Sequence, residues 1–433
     1  MARVHRRGRG SVRTADHLRL SLLRARQEVD RVRPAHPPGT KRARCSASRD
    51  APRRVITVTD GPARDRDPNR TDPRARIGRI LLRGCAQRTA SGGESVRALV
   101  TDQDGPRLVG DYAQPEIGPA DALVRIEHAG LSPLEMAAVS GRIDHSGVIG
   151  HELVGVVEKL GERAAKSPLL GKRVVASPDV ACGTCDLCKK GLSVHCRNRR
   201  VIGLRQHDGT LADYIALPVR NLTEVGSKID PEQAVFAHAV ADALHVAHLA
   251  PVEKQTYVTV LGDGAQAILA AQVLAKRNAS VRLVGAREER FGLCERWQIR
   301  HRHISEPGLR ADQDVVVVCL EPESGPNLAG ADAVRTALGM LRPRGSLVLQ
   351  GPPVHVDGLD LSLSDHLERV IRDEMRILGA RSGRIGEGLV AIRSGLVDLL
   401  PLITRRANLN DGVGMLRVAG EPDQIRMVVD VAA

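Results

Sequence analysis

Aromatic side chains are nearly missing from this chain: its 433 residues include one Trp, three Tyr and two Phe. Hydrophobic residues still make up 42%, so a core has to be packed from aliphatic side chains. A ladder of aromatics on which bases stack is excluded. No run of about 18 apolar residues occurs, which excludes a helical membrane span. No secretory signal is visible. Cysteine is sparse, and Cys45, Cys85, Cys294 and Cys319 lie scattered, as reduced thiols of a cytoplasmic protein would.

The formal charge is +13, yet it is unevenly spread. Residues 1–95 carry 24 Lys and Arg against 9 Asp and Glu, whereas the remainder carries 40 against 42. The basic stretch is rich in Arg, Pro and Asp, with only a brief period near Leu18–Val29, and has too little apolar surface to offset chain entropy. It reads as a disordered tail. Its nine acids argue against a transit peptide, and its lack of aromatics argues against a nucleic-acid arm. The preferred reading is a mis-assigned start, with the ordered protein beginning near Val96. Recovery of peptides from residues 1–90 in a mass spectrum of the natural protein would overturn it.

Four of the eight cysteines fall within fifteen residues: Cys182, Cys185, Cys188 and Cys196, spaced C-x2-C-x2-C-x7-C. Zinc takes four tetrahedral ligands, and thiolate is a soft donor that suits it. A disulfide pair would need an oxidising compartment, and the iron–sulfur run C-x2-C-x2-C-x3-C-P fails at the last spacing. A closed four-thiolate set leaves no position for a substrate, so this metal is expected to be structural.

Short apolar runs at Val96–Val100 and Ala122–Ile126 predict strands. Gly150-His151-Glu152 precedes a β-branched run, and both polar residues are zinc donors, although a capped turn would look the same. Asp230, Pro231 and Gln233 form a D-x-x-Q start to a helix running from Ala234 to about Leu249. That helix sets His238 and Asp242, or His238 and His245, on one face. His245 and His248 read as a solvated face.

From Tyr257 the pattern changes to strand–turn–helix–strand. Tyr257–Leu261 is a buried strand, Gly262-Asp-Gly264-Ala-Gln-Ala267 is a G-x-G-x-x-A turn, Ile268–Ala275 a helix and Ser280–Val284 a strand. Gly262 makes the turn, Gly264 lets backbone approach a diphosphate, and Ala267 permits tight helix packing. The acid that holds an NAD ribose is absent after the second strand, where Arg287 stands, which points to NADP(H). Alternation continues through Asp314–Cys319, Gly330–Leu341 and Gly345–Leu349, giving a doubly wound parallel α/β sheet. A helix at Ile385–Ser394 and a strand at Gln424–Val431 follow.

On the cysteine lobe, Gly150-His151-Glu152, the Gly262–Gly264 turn and the segment Gly379–Thr404, the chain from about Val96 onward resembles the zinc-containing alcohol dehydrogenase family of medium-chain dehydrogenases/reductases. The resemblance implies a GroES-like β-rich catalytic domain over 96–245, a Rossmann domain over 246–380, and a return to the catalytic domain over 381–433. It implies hydride transfer between NADP or NAD and a small-molecule alcohol or carbonyl substrate, a homo-oligomer, and a second zinc that polarises the substrate oxygen. Where the family places a cysteine ligand this chain has Ser132, and where a hydroxyl opens the proton relay it has Leu134. The implied catalytic set is therefore His151, Glu152 and Ser132, with His238 aligned to a third ligand. Two alternatives stay open: a zinc-independent quinone-type reductase, and a nucleotide-binding homologue without chemistry.

Overall fold

The computed structural model describes residues 94–433 apart from residues 278, 323–329 and 358–363. The basic stretch, including Leu18–Val29, Cys45 and Cys85, lies outside the described residues. The chain divides into two units, Met1–Thr71 and Asp72–Ala433, and every described residue belongs to the second.

Two large sheets carry the fold. The first has seven strands, with Asp121–Leu131 at its centre, because glycine-bounded alternating segments leave one face to pack. That strand pairs antiparallel with Glu152–Leu160, Tyr214–Pro218 and Arg426–Asp430. The last of these comes from the chain's end, and Ile403–Asn408 pairs parallel beside it. Residues more than 260 positions apart thus share one sheet, and Leu99, Ile126, Leu153, Ile215 and Val429 meet in its core.

The second sheet has six parallel strands: Arg300–His303, Ser280–Gly285, Tyr257–Leu261, Gln313–Cys319, Leu341–Gln350 and Arg376–Ala380 in spatial order. Counted along the chain this is 3-2-1-4-5-6, the doubly wound order. Its inner strand Gln313–Cys319 is buried on both faces, as four consecutive valines at 315–318 require, while the edge strands are more exposed. Val315 and Val317 pack with the helix Ala265–Ala275, whereas Val316 and Val318 pack with the helix Gly330–Met340. With aromatics scarce, Phe236 is the largest fully buried side chain among the described residues, and aliphatics fill most of the remaining core.

One expected element differs. The helix predicted from Ala234 to Leu249 is two helices, Pro231–Ala234 and Ala237–Leu249. Asp230 does cap, accepting the Gln233 N–H at 3.3 Å. The helical path lapses at Phe236, whose ψ is near zero, and its ring there lies under the Arg426 guanidinium, 5.8 Å from ring centre to Cζ.

Candidate functional site

The four cysteines project from a lobe between the short paired strands Asp179–Val180 and Arg200–Val201. Cys185 starts the one-turn helix Asp186–Lys189, Cys188 lies within it, and Cys196 follows the turn Ser193–His195. The Sγ separations are 3.5 Å for Cys185–Cys188 and Cys182–Cys196, 3.8 Å for Cys185–Cys196 and 3.9 Å for Cys182–Cys188. A tetrahedron of sulfurs about zinc, with Zn–S near 2.3 Å, has edges of about 3.8 Å. The Thr184 N–H and hydroxyl and then the Cys185 N–H bring the Cys182 thiol down to about 5, while burial and the neighbouring Cys185 thiol push Cys188 up to about 12. The donor set therefore fits structural zinc, and sulfurs at these distances are free thiols, not disulfides.

The second candidate group lies where the two sheets approach. Ser132 caps the helix Pro133–Val139, its hydroxyl accepting the Leu134 N–H at 3.1 Å. The same hydroxyl donates to Glu135 Oε2 at 2.7 Å, as does the Ser132 N–H. Glu135 Oε1 then meets His151 Nδ1 at 2.5 Å, which leaves Nε2 as the outward nitrogen. His151 Nε2 is 3.8 Å from Glu152 Oε1. Both Glu152 oxygens are held by Arg426, at 3.0 Å each.

These side chains are all buried. Burial alone would raise the Glu135 carboxyl, but the charge and hydrogen bond of His151, with bonds from Ser132, more than offset it and leave the pKa lowered. Burial likewise opposes the His151 cation, yet Glu135 and then Glu152 outweigh it and raise the pKa, with Arg426 acting against them.

His238 stands one step away. Its Nε2 is 3.3 Å from Ser382 Oγ and 3.7 Å from Asp242 Oδ1, the i,i+4 partner that helical spacing placed on its face. Asp242 also accepts the Gly383 N–H at 2.9 Å. Burial, then the neighbouring His151 charge, lowers His238 to about 4, and burial raises Asp242 to about 7. His245 is half-buried and His248 exposed.

The expected second metal set is not gathered. Among the described residues, the four cysteines are the group of three or more such donors whose ligand atoms lie within 4.8 Å of one another. His151, Glu152 and His238 form no such group. The physical reason is that Glu152 is committed to Arg426, and the Ser132 hydroxyl and His151 Nδ1 to Glu135. These donors do not fit a chelated zinc as placed, and no chemical step below passes through one.

The glycine turn lies at the carboxyl end of Tyr257–Leu261, beside the end of Gln313–Cys319, where the strand order reverses and ligands enter such sheets. Gly262 has φ +131°, a conformation that L side chains rarely adopt, and a Cβ on it would stand 3.0 Å from Ala267 Cβ. The small third position is thus required by contact. Asp263, between the glycines, is buried and accepts the Ala286 and Arg287 N–H groups at 2.6 and 2.9 Å. It also pairs with the Arg287 guanidinium at 3.0 Å, so Arg287 is anchored at the end of the second strand.

Two small cavities flank this turn. One, of about 70 Å³, is lined by Ser132, His151, His238, Asp242, Gln266 and Arg426 among others. The other, of about 20 Å³, is lined by Gly264, Ala265, Arg287, Arg290 and Arg426 among others. Ser132, Pro133, Glu321 and Arg426 border both. The sequence reading missed Glu135, Arg426, Asp263 and Glu321. Of these, only Glu135 had a local signal, the S-x-x-E capping box from Ser132.

A β-rich sheet carrying a four-thiolate lobe, together with a doubly wound parallel sheet that has a glycine turn at its switch point, defines an α/β protein with a Rossmann-like sheet. The family model for the alcohol dehydrogenase GroES-like domain matches residues 118–227. An uncharacterized zinc-type alcohol dehydrogenase-like protein of Haemophilus influenzae is 24% identical over 323 residues, 72% of this chain and 91% of that protein. L-threonine 3-dehydrogenase of Streptomyces avermitilis is 25% identical over 329 residues, 73% and 94% of the two chains. Among solved structures, a putative zinc-binding dehydrogenase from Sinorhizobium meliloti bound to NADP shares the fold with TM-score 0.69 at 22% identity, covering 78% of this chain and all of that one. Alcohol dehydrogenase TADH from Thermus sp. ATN1 does so with TM-score 0.68 at 21% identity, covering 77% of this chain and 99% of that one. The chain is thus similar to zinc-type alcohol dehydrogenase-like proteins over 72% of its length, and its residues 118–227 match the alcohol dehydrogenase GroES-like domain.

Proposed function

We propose that this protein is an NAD(P)(H)-dependent oxidoreductase acting on a small alcohol or carbonyl compound. The observation that carries it is the meeting of the Gly262–Gly264 turn and the buried Ser132–Glu135–His151 group across cavities that share their walls. When bound, the nicotinamide supplies the hydride acceptor or donor. Gly262, Gly264 and Ala267 leave room for the diphosphate at a helix N-terminus. Arg287, anchored by Asp263, is positioned for a 2′-phosphate. The His151–Glu135 pair holds Nε2 beside the larger cavity, where it can face a substrate oxygen. Four-cysteine zinc holds the lobe and takes no part in the reaction.

The same reading takes residues 96–245 and 381–433 as one catalytic domain around the nucleotide domain at 246–380, and expects a homo-oligomer. No helix among the described residues is long and apolar enough to cross a membrane. The same reading expects a cytoplasmic location.

The test is a titration of the full-length protein with NADPH and NADH, followed by an alcohol and carbonyl screen that reads nicotinamide absorbance. NADPH is expected to bind several-fold more tightly than NADH, with turnover on at least one substrate class. Failure of both dinucleotides to bind would overturn the reading.

A further inference from the structure

Glu321 is the residue that the cofactor reading leaves unexplained. It follows the strand Gln313–Cys319 at the switch point of the parallel sheet, where a dinucleotide's diphosphate crosses. Its Oε1 accepts the N–H of Gln266 at 3.1 Å, in the first turn of the eleven-residue helix Ala265–Ala275. Its Oε2 lies 1.3 Å from the place a Cβ on Gly264 would occupy. The carboxylate thus sits against the bare backbone of the second glycine and uses the helix N-terminus that an anion would use.

We propose that Glu321 is an internal occupant of the diphosphate cradle, and that cofactor affinity is set by the need to move its carboxylate off Gly264 and the Gln266 N–H. This rests on the nicotinamide reading above and adds to it a residue that determines affinity. Two observations support it independently. The space freed by the missing side chain of Gly264 is filled by an acid from the segment that follows the strand Gln313–Cys319, so the glycine already serves close approach by an oxyanion. The same acid also forms part of the wall between the two cavities that cofactor and substrate would have to join.

The charges around it are mixed. Arg290 and Arg426 favour its anionic form and Asp263 opposes it, while burial is the largest influence and raises its pKa. Arg287 and Arg290 line the smaller cavity with it. A diphosphate entering there meets these cations, but must first exchange places with a carboxylate of its own sign.

Calorimetric titration of NADPH into the full-length wild type and the Glu321→Gln and Glu321→Ala variants decides the matter. Glu321→Gln keeps the shape and removes the charge; Glu321→Ala removes both. Each is expected to bind NADPH about tenfold more tightly or better, a gain of about 1.4 kcal/mol, with zinc content and melting temperature reporting that the fold is kept. If neither neutral variant folds, Glu321→Asp, which keeps the charge but shortens the reach to Gln266, is read in its place with the same direction expected. Wild-type binding with equal or weaker binding by the folded variants overturns the role of Glu321 and leaves the cofactor reading standing. Absence of binding by wild type and variants alike overturns the cofactor reading, and this inference with it.

Discussion

Cys196→Ser is expected to strip the metal from the lobe, taking zinc from about one per chain to about none after dialysis against a chelator of moderate strength. Cys196 is the one fully buried member of the four, and its Sγ stands 3.5 and 3.8 Å from those of Cys182 and Cys185. Serine offers a harder, protonated oxygen on a shorter bond, so the tetrahedron cannot close. Loss of a residue that only supports a ligand costs roughly 10–100-fold in metal affinity, and loss of the ligand itself must cost more. Without metal the lobe has little core: the helix Asp186–Lys189 buries none of its residues. Limited proteolysis should therefore cut within residues 182–196 in the variant and spare the wild type. Stoichiometric zinc in Cys196→Ser would sink the assignment of this site.

The second large effect is expected at Arg426. Arg426→Met should destabilise the protein by about 3–5 kcal/mol, the usual cost of leaving one partner of a buried ion pair uncompensated. Glu152 is almost fully buried and has both oxygens on that guanidinium. Methionine keeps much of the volume, so packing over Phe236 changes less than charge does. The double variant Arg426→Met/Glu152→Gln should recover most of the loss, because no orphan charge remains.

The pH dependence has a definite sign. His151 has a raised pKa in the folded protein, so its contribution is complete below its ordinary value near 6.5 and is lost as pH rises through the folded value. Glu135 has a lowered pKa, so its contribution is complete above its ordinary value near 4.5 and is lost as pH falls through the folded value. Arg426 opposes the His151 cation, so its removal raises the His151 pKa further and adds stability only where His151 is protonated. The deficit of Arg426→Met should therefore shrink between about pH 8 and about pH 5.5. Urea unfolding at both pH values measures it. A deficit below about 1 kcal/mol, or one that grows on acidification, would show that the four buried groups do not act as a network.

The lobe was legible because a knuckle is local: its four ligands fall within fifteen residues and their spacing is set by turns of the chain itself. The βαβ unit was legible for the same reason, since a buried strand, a glycine turn and a helix announce themselves through composition and period. His151 and Glu152 were found because they sit at the entrance of a strand with a recognisable pattern, and Ser132 only because it stands where the resembled family has a cysteine. Helical spacing offered His238 either Asp242 or His245 as a neighbour, and the structure sets it beside Asp242.

What those residues do to one another was not written locally. Arg426 reaches Glu152 across 274 positions of sequence, and His238 reaches Ser382 across 144. Glu321 reaches the glycine-turn helix across 55. None of these pairs shares a periodicity or a motif, because a β-sheet assembled from both ends of a chain, and a parallel sheet wound from its middle, bring residues together by strand order alone. The sequence by itself determined most of the elements, the gathering of four cysteines, and the glycine turn. Only the tertiary structure decided that the Arg426 guanidinium pairs with Glu152 and that the Glu321 carboxylate rests against Gly264. Short-range turns and periods are properties of neighbouring residues, whereas a charge finds its partner only once the sheets have closed around both.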